Sequence, residues 1–387
     1  MFLKGNFKSR DDKYMDVVII GNDHYNTYGI VRSLGEKGIL CDAILLNCNK
    51  NDSYVLRSKY IRNGYPCCSF DDALVILSGY KKSQNIIICC SDEAEEFVVN
   101  HYGKLSKNFV LPVCENPEDT IRLMNKDIIG ELARQYSITT PATWQVINRQ
   151  VPEGISYPCI TKPITSTSGH KSDIVVCRNE KELCNVVEDE ARCSDYVVQQ
   201  YIEFDKEVSI LGAVLADGMV VLSGCIDKLR TCMIGTTSFG VMLDNSLLGD
   251  NVPKLMAMMT NTGYRGLFSA EFIVKDGVYY FLEVNFRNDG NTYVATASGN
   301  NLPLLYVKSV MGQSVEVQYP HYPCYFMLEI EDFLAFRRNR VSLSRWRRDF
   351  NKVNACLVYN KQDIKPFKKK IRNTLSSVIQ RILHKLV

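Results

Sequence analysis

At 387 residues, with 46% hydrophobic and 23% charged side chains, the chain is long enough for about two or three domains with true cores. That composition excludes a disordered or fibrous protein, and no run of eighteen apolar residues is present to span a membrane as a helix. The net charge of +3 hides a division: Arg337 to Val387 holds fifteen Lys/Arg against only Asp349 and Asp363, while the other 336 residues carry 31 basic and 41 acidic side chains.

Lys4, Lys8, Arg10, Asp11, Asp12 and Lys13 crowd the start, which does not read as a secretory leader. The fifteen cysteines are odd in number, irregularly spaced and without a Cys-x-x-Cys pair, so reduced thiols in a cytoplasmic protein are expected rather than disulfides or zinc. Asp16 to Asn22, DVVIIGN, is a short buried strand running into a glycine, and HYNTYGIVRSLGEKG reads as a helix ending at Gly38. CDAILLN and NIIICC are further strands with helical segments between and after them, the βαβ alternation of an open parallel sheet. A dinucleotide site is excluded, because GNDHYN lacks the G-x-G-x-x-G spacing that lets backbone approach a pyrophosphate.

Asn116-Pro117 reads as a helix cap followed by proline in the first turn, and Asn125 as the cap of a second helix beginning at Lys126. YPCITKP is then a strand ending at Lys162-Pro163, followed by the small-residue loop Thr165 to Lys171. Such a loop can curl backbone N–H groups around an anion, although a Ser/Thr/Gly run is more often only a mobile turn. DYVVQQYIEF is a strand with Gln199 and Gln200 at its end, and EVSILGAVLADGMVVLSGCID is a hairpin turning at Asp217-Gly218. In CIDKLR, Lys228 and Arg230 read as strand-end charges that could hold an acceptor carboxylate or a transferred phosphoryl group.

The last hairpin, SAEFIV and VYYFLEVNF around KDG, carries Glu271 on one strand and Glu283, Asn285 and Arg287 at every second position of the other. With a three-residue loop the two glutamates become neighbours on one face; a two-residue loop would send them to opposite faces. A single glutamate on a strand face is ordinarily solvated. Two carboxylates and an amide together would repel unless a cation sits among them, which points to a Mg²⁺-bound phosphate site with Arg287 on phosphate oxygens. At the far end, Phe367, Ile371, Leu375, Val378, Ile379, Ile382 and Leu386 recur at steps of three and four among lysines and arginines. This amphipathic helix either packs on the body, forms a homodimer interface, or lies as a peripheral contact on an anionic membrane or other polyanion.

The order of these features resembles the ATP-grasp superfamily, over about Asp16 to Gly312, and looks closest to its carbamoyl phosphate synthase large-subunit-like and D-aspartate-ligase-like members. FLEVNFRNDGNTYVATASGNNLP is similar to the family's E-x-N-x-R strand with its following small-residue helix. QQYIEFDKEVS is similar to its hinge, ITKP with TSTSG to its phosphate-binding lysine and lid, and NKDIIGELARQYSITTPAT to the helix with its first ATP lysine. Phe286 stands where the family usually has proline, and the hinge is Gln-Gln rather than Glu-rich; neither change removes a metal ligand.

The resemblance implies an α/β chain, α+β in its ATP-grasp part. Its units are a parallel βαβ domain at 1–115, an ATP-grasp domain at 116–313 with a lid subdomain at about 140–205, and a basic helical segment at 314–387. It further implies ATP held by Lys126, Lys162, the lid residues Ser166, Thr167, Ser168, Gly169 and Lys171, the hinge Gln199, Gln200, Tyr201 and Ile202, and Glu207 on the ribose. Mg²⁺ or Mn²⁺ would sit on Glu271, Glu283 and Asn285, with Arg287, Lys228 and Arg230 as the catalytic cations. The expected activity is carboxylate–amine ligation through an acyl phosphate, with small-molecule substrates and no nucleic acid. Competing expectations are a non-catalytic nucleotide-binding scaffold and a carboxyphosphate-forming enzyme.

Overall fold

Every residue of β1 (Val17–Gly21) is buried, and a strand apolar on both faces has to be covered on both, as parallel βαβ units do. A computed structural model describes residues 15–81, 84–164, 171–233, 236–335 and 341–383. After β1 come α1 (Tyr25–Gly35), β2 (Cys41–Leu46), β3 (Ile61–Cys67), α2 (Phe70–Leu77), β4 (Asn85–Cys89), α3 (Asp92–Asn100), the one-turn α4 (Tyr102–Leu105) and β5 (Phe109–Val110). The strands lie in the order β3-β2-β1-β4-β5 and all pairs are parallel. The winding reverses between β1 and β4, so the carboxyl ends of these two strands flank the switch point, where open α/β sheets bind ligands. The helix expected to reach Gly38 stops at Gly35; Gly38, at φ 84°, takes the left-handed conformation of the turn that follows.

Two helices lead onward, α5 (Pro117–Leu123) and α6 (Lys126–Gln135). Pro117 occupies the first turn, and Asn125 Oδ1 caps α6 by accepting from Asp127 N at 2.9 Å. Next come β6 (Thr143–Val146), β7 (Cys159–Pro163), β8 (Val175–Cys177), α7 (Glu180–Glu188) and β9 (Tyr196–Gln200). Their strands form a small antiparallel sheet, ordered β6-β9-β7-β8, over a core that includes Val146, Cys159, Leu183 and Tyr196.

The main sheet draws on β10 (Lys206–Val214), β11 (Val220–Met233), β12 (Thr236–Leu243), then, after α8 (Asn251–Asn261), β13 (Gly266–Lys275) and β14 (Val278–Asn285). After α9 (Thr292–Ser298) and α10 (Leu302–Val310) it gains β15 (Cys324–Met327) and, beyond α11 (Glu329–Ala335) and α12 (Leu343–Phe350), β16 (Ala355–Cys356). The order is β14-β13-β10-β11-β12-β15-β16. The C-terminal segment is therefore not an appendage: β15 and β16 extend this sheet, and one core joins Ile19, Tyr28 and Leu34 to Leu211, Phe326 and Leu357.

The chain closes with α13 (Ile364–Leu383), whose first turns sit on the body. Phe367 packs on that core, its ring 5.2 Å from Tyr359, and Lys370 lies 2.6 Å from Glu331. Asn373 Nδ2 donates to Asp52 O at 2.6 Å, whereas Leu375 is 57% exposed. The expected stripe thus begins buried and turns outward; the side chains of Val378, Ile379 and Ile382, and Leu386 altogether, lie outside the description. Among the described residues no helix is long and apolar enough to cross a membrane.

Candidate active site

The acidic floor is built by a hairpin. Lys275 pairs with Val278, leaving a two-residue turn of Asp276 and Gly277 at φ 49° and 78°, the doubly left-handed geometry of a tight hairpin. The expected three-residue loop is therefore absent, and in regular register the glutamates would part. A bulge restores them: Leu282 is left over between the pairs Phe272↔Phe281 and Glu271↔Glu283. The buried rings of Phe272 and Phe281, edge to face at 5.6 Å, hold the register on the turn side of the bulge. Two residues further on, Asn285 lies opposite Ser269 and is buried.

Cations from three other elements approach this floor. Lys126, the first residue of α6, places Nζ 3.1 Å from Glu283 Oε2. Lys228 on β11 pairs with Glu207 on β10 and lies 3.6 Å from Glu271 Oε2. Lys162, at the end of β7, donates to Gln199 Oε1 at 2.8 Å, and Gln199 Nε2 donates to Thr143 Oγ1 at 3.3 Å.

The charges do not balance evenly. Burial, with Glu283 and Glu207 adding to it, pushes the Glu271 carboxyl up to about 7 despite Lys228. Burial acts on Glu283 in the same direction, but Lys126 and Lys162 outweigh it and hold that carboxyl below its ordinary value. Burial also lowers Lys162, against the pull of Glu283. No group of three or more His, Cys, Asp or Glu side chains suited to a metal occurs among the described residues, so a cation here would rest on two carboxylates and the Asn285 amide oxygen. That donor set fits Mg²⁺ or Mn²⁺: it is all oxygen, it is hard, and one of its carboxylates is short of positive partners.

Arg287 connects the floor to the first sheet. Its Nε lies 2.9 Å from Asp92 Oδ1, Nη2 donates to Asn285 Oδ1 at 3.1 Å, and Nη1 donates to Asn288 O at 3.2 Å. Burial would lower the guanidinium's pKa, but Asp92, Asp289 and Glu271 together raise it. Beside it opens a cavity of about 250 Å³, lined by Asn22 and His24 after β1, Ser91, Asp92 and Glu93 after β4, and Arg287. A larger cavity of about 390 Å³, along α5, α6 and the end of α8, contains none of the candidate residues.

Arg230 goes elsewhere. Its Nε and Nη2 donate to both oxygens of Asp332 at 3.1 and 2.8 Å, and Nη1 donates to Asp349 at 2.6 Å, which ties β11 to α11 and α12. A bulge between Lys228 and Arg230 separates their fates. Gln199 faces Lys162, while Gln200 is exposed; Gln200 N and Tyr201 N bond to Ala142 O and Pro158 O at 2.8 and 2.9 Å, and Ile202 continues this edge. The lid residues Ser166, Thr167, Ser168 and Gly169 lie outside the described residues, as does the side chain of Lys171. Asp92, Asp289, Thr143 and His24 were not legible as site residues. Asp289 had a signal, two positions past Arg287; Asp92 had none, since it meets Arg287 across 195 residues.

Residues 131–301 match the ATP-grasp domain family. A formate-dependent phosphoribosylglycinamide formyltransferase of Sulfurovum sp. (strain NBC37-1) is 27% identical over 52% of this chain and 54% of its own length. The D-aspartate ligase of Enterococcus faecium (strain Aus0004) is 23% identical over 74% of each chain. The biotin carboxylase domain of the Hydrogenobacter thermophilus 2-oxoglutarate carboxylase, solved as a dimer with MgADP, ADP and bicarbonate, shares the fold at a TM-score of 0.62 and 17% identity, over 80% of this chain and 73% of that one. The chain spans about half the length of the formyltransferases it matches.

Proposed function

With an ATP-grasp domain at residues 131–301 as the premise, we propose that the chain is an ATP-dependent carboxylate–amine ligase working through an acyl phosphate and releasing ADP and phosphate. The observation that carries this reading is the direct opposition of Glu271 and Glu283, ringed by Lys126, Lys228 and Arg287. A divalent cation held by Glu271, Glu283 and Asn285 would neutralise triphosphate charge. Lys126 and Lys162 hold phosphate oxygens under the lid Thr165 to Lys171, Gln199 to Ile202 line the adenine, and Glu207 bonds the ribose hydroxyls. A substrate carboxylate oxygen attacks the γ-phosphorus; the bond to the β–γ bridging oxygen breaks and ADP leaves with its electrons. The amine then attacks the acyl carbon, the bond to the phosphate oxygen breaks, and the amine's proton passes to solvent. Such chemistry needs positioning and charge stabilisation more than covalent help. Arg287, positioned by its bonds to Asp92, Asn285 and Asn288 O, offsets the charge of the acyl phosphate.

A screen of paired carboxylates and amines, following ADP release, identifies the substrates. An ¹⁸O-labelled carboxylate must then deliver one label to the released phosphate. Unlabelled phosphate would refute the acyl-phosphate route; a requirement for bicarbonate instead would identify a carboxyphosphate, and ATP binding without turnover a scaffold.

A second reading concerns the basic end. Phe333, Leu334, Leu343 and Phe350 are 45%, 56%, 43% and 39% exposed, and Arg345, Arg347 and Arg348 are exposed beside them on α12. Exposed aromatic, aliphatic and basic groups on α11 and α12 suit peripheral contact with an anionic bilayer. Truncation at Pro366 is a poor test, because it removes Phe367 and Lys370 from the body. Liposome flotation of an R345E/R347E/R348E variant is better: salt-sensitive binding to anionic vesicles by the wild type alone supports the contact, and equal binding by both contradicts it.

A further inference from the structure

Glu95 lies on α3 one turn beyond Asp92, on the same side of the helix, and is wholly buried. Neither of its carboxyl oxygens has a hydrogen-bond partner among the described residues. A buried polar group left unpartnered costs stability, so packing alone does not account for a carboxyl there. We propose that Glu95 is a positioning residue that sets where Arg287 points, and so how the protein grips a terminal phosphate. The assignment rests on the nucleotide reading above and adds a control over one of its cations.

Convergence of anchors is the first ground. Asp92 Oδ1 lies 2.9 Å from Arg287 Nε. Asn288 N donates to Cys89 O at 3.0 Å, and Tyr264 OH donates to Phe286 O at 2.8 Å. The Arg287 side chain and the backbone on both sides of it are thus fixed by three residues, and all three border Glu95. Cys89, Tyr264 and Tyr306 belong to three separate cores, and Glu95 sits where these meet. A shift of its carboxyl reaches Arg287 through each anchor.

Charge is the second. The titratable and charged groups facing Glu95 are Asp92 on α3, Cys89 on β4, Cys114 before α5, Tyr264 before β13, Tyr306 on α10 and Arg287 after β14. Arg287 is the cation in that set. Burial pushes the Glu95 carboxyl well above its ordinary value; the Cys89 thiol, a weak donor, and Arg287 do not offset it, and Asp92 adds to it. Protonated, Glu95 makes no claim on the guanidinium, which is left to Asp92, Asn285 and Asn288 O. Ionised, it would compete with Asn285 for Arg287 and draw it from the acidic floor toward the junction of the cores.

Titration calorimetry on the full-length chain tests this with Mg²⁺ and two probes, ADP and the non-hydrolysable imido analogue of ATP. The ratio of their affinities reads the grip on the terminal phosphate. In the wild type the preference for the triphosphate should fall about tenfold from pH 7 to pH 10, the loss of one charge-assisted contact. Glu95→Gln, uncharged at every pH, should match the wild type at pH 7 and keep its preference across that range. Other groups that titrate there act on both proteins alike. Glu95→Met, which also removes the charge, replaces it should Glu95→Gln misfold. A preference that falls equally in wild type and variant, or in neither, would overturn the assignment. If neither protein binds either probe at pH 7, the nucleotide reading itself falls and takes the assignment with it. Melting temperature without nucleotide gives a separate check. The folded state keeps the Glu95 proton above the ordinary value of 4.5 and the unfolded chain does not, so wild-type stability is lost as pH rises from there. Glu95→Gln should therefore raise the melting temperature more at pH 8 than at pH 4.5; an equal change at both would also overturn the assignment.

Discussion

Lys228 and Arg230 are two residues apart on β11, yet they belong to networks of opposite character. Arg230 is saturated: Asp332, which is wholly buried, takes it with both oxygens, Asp349 takes the third contact, and Ser238 Oγ and Trp346 Nε1 donate to Asp332 at 2.6 and 2.9 Å. The guanidinium also lies 4.2 Å from the centroid of the Phe239 ring. Lys228 instead serves both Glu207 and Glu271, and the Glu271 carboxyl remains displaced toward neutral pH. A satisfied buried network locks elements together, while an unbalanced one at the floor of a cleft is poised for a charged ligand.

The largest effect is expected at the floor. Glu283→Gln keeps the size of the side chain but removes the charge that a hard cation needs. ATP-dependent phosphate release should fall about 100-fold or more in a protein that still folds. Turnover near the wild-type rate would mean that the carboxylate pair is not the phosphate site.

Arg230→Met should do the reverse. It strands Asp332 and Asp349 without their cation, and breaking a buried pair on one side costs about 3–5 kcal/mol. Denaturant unfolding should report that loss, while the folded fraction keeps the wild-type KM for ATP. A stability loss too small to measure would show that the latch is not a buried pair in effect.

A smaller effect separates the networks by pH. In the metal-free protein, Glu271 holds its proton up to about 7, whereas an ordinary glutamate releases it near 4.5. The folded state therefore binds more protons between these values, and stability falls as pH rises through that window. Glu271→Gln should raise the melting temperature of the metal-free protein at pH 8 and change it little at pH 4.5. Mg²⁺ with ADP should stabilise the wild type at pH 8 more than the variant. An equal shift at both pH values would contradict the displaced carboxyl.

The smallest effect tests the turn. Gly277, at φ 78° with open space around it, should lose about 1 kcal/mol on replacement by alanine, because the left-handed conformation disfavours a Cβ. Its MgADP response should survive, since the buried Phe272–Phe281 pair and not the turn fixes the register next to the glutamates.

These outcomes mirror what the sequence could say. The parallel sheet was readable because β1, β2 and β4 are short apolar runs, broken only by Asp42 and Asn85, with helix-compatible segments between them; β3, IRNGYPC, carries no such run and was not legible. The helix start at Asn116-Pro117 and the cap at Asn125, and with them the position of Lys126, were readable because such signals are local; Asn116 takes the cap position without a side-chain capping bond. Glu271, Glu283 and Asn285 were readable as a group but not by the right turn. A bulge is decided by packing between strands, and neither Phe272 nor Leu282 announces it. The Arg230 latch was illegible because Asp332 lies 102 residues away and its partners are ordinary surface types in sequence. For the same reason the sequence could not separate packing of the C-terminal stripe on the body from a dimer or membrane contact: only the fold brings Tyr359, Glu331 and Tyr54 against its first half.

The proposed handling of nucleotide charge at the unbalanced floor, and not at the latch two residues along β11, sets the two networks apart. Its most direct test is the MgADP-induced shift in melting temperature, measured side by side for the wild type, Glu283→Gln and Arg230→Met. The wild type should show a shift, Glu283→Gln should lose it, and Arg230→Met should retain it on top of a lower starting temperature. A full shift in Glu283→Gln, or its loss in Arg230→Met alone, would contradict the claim.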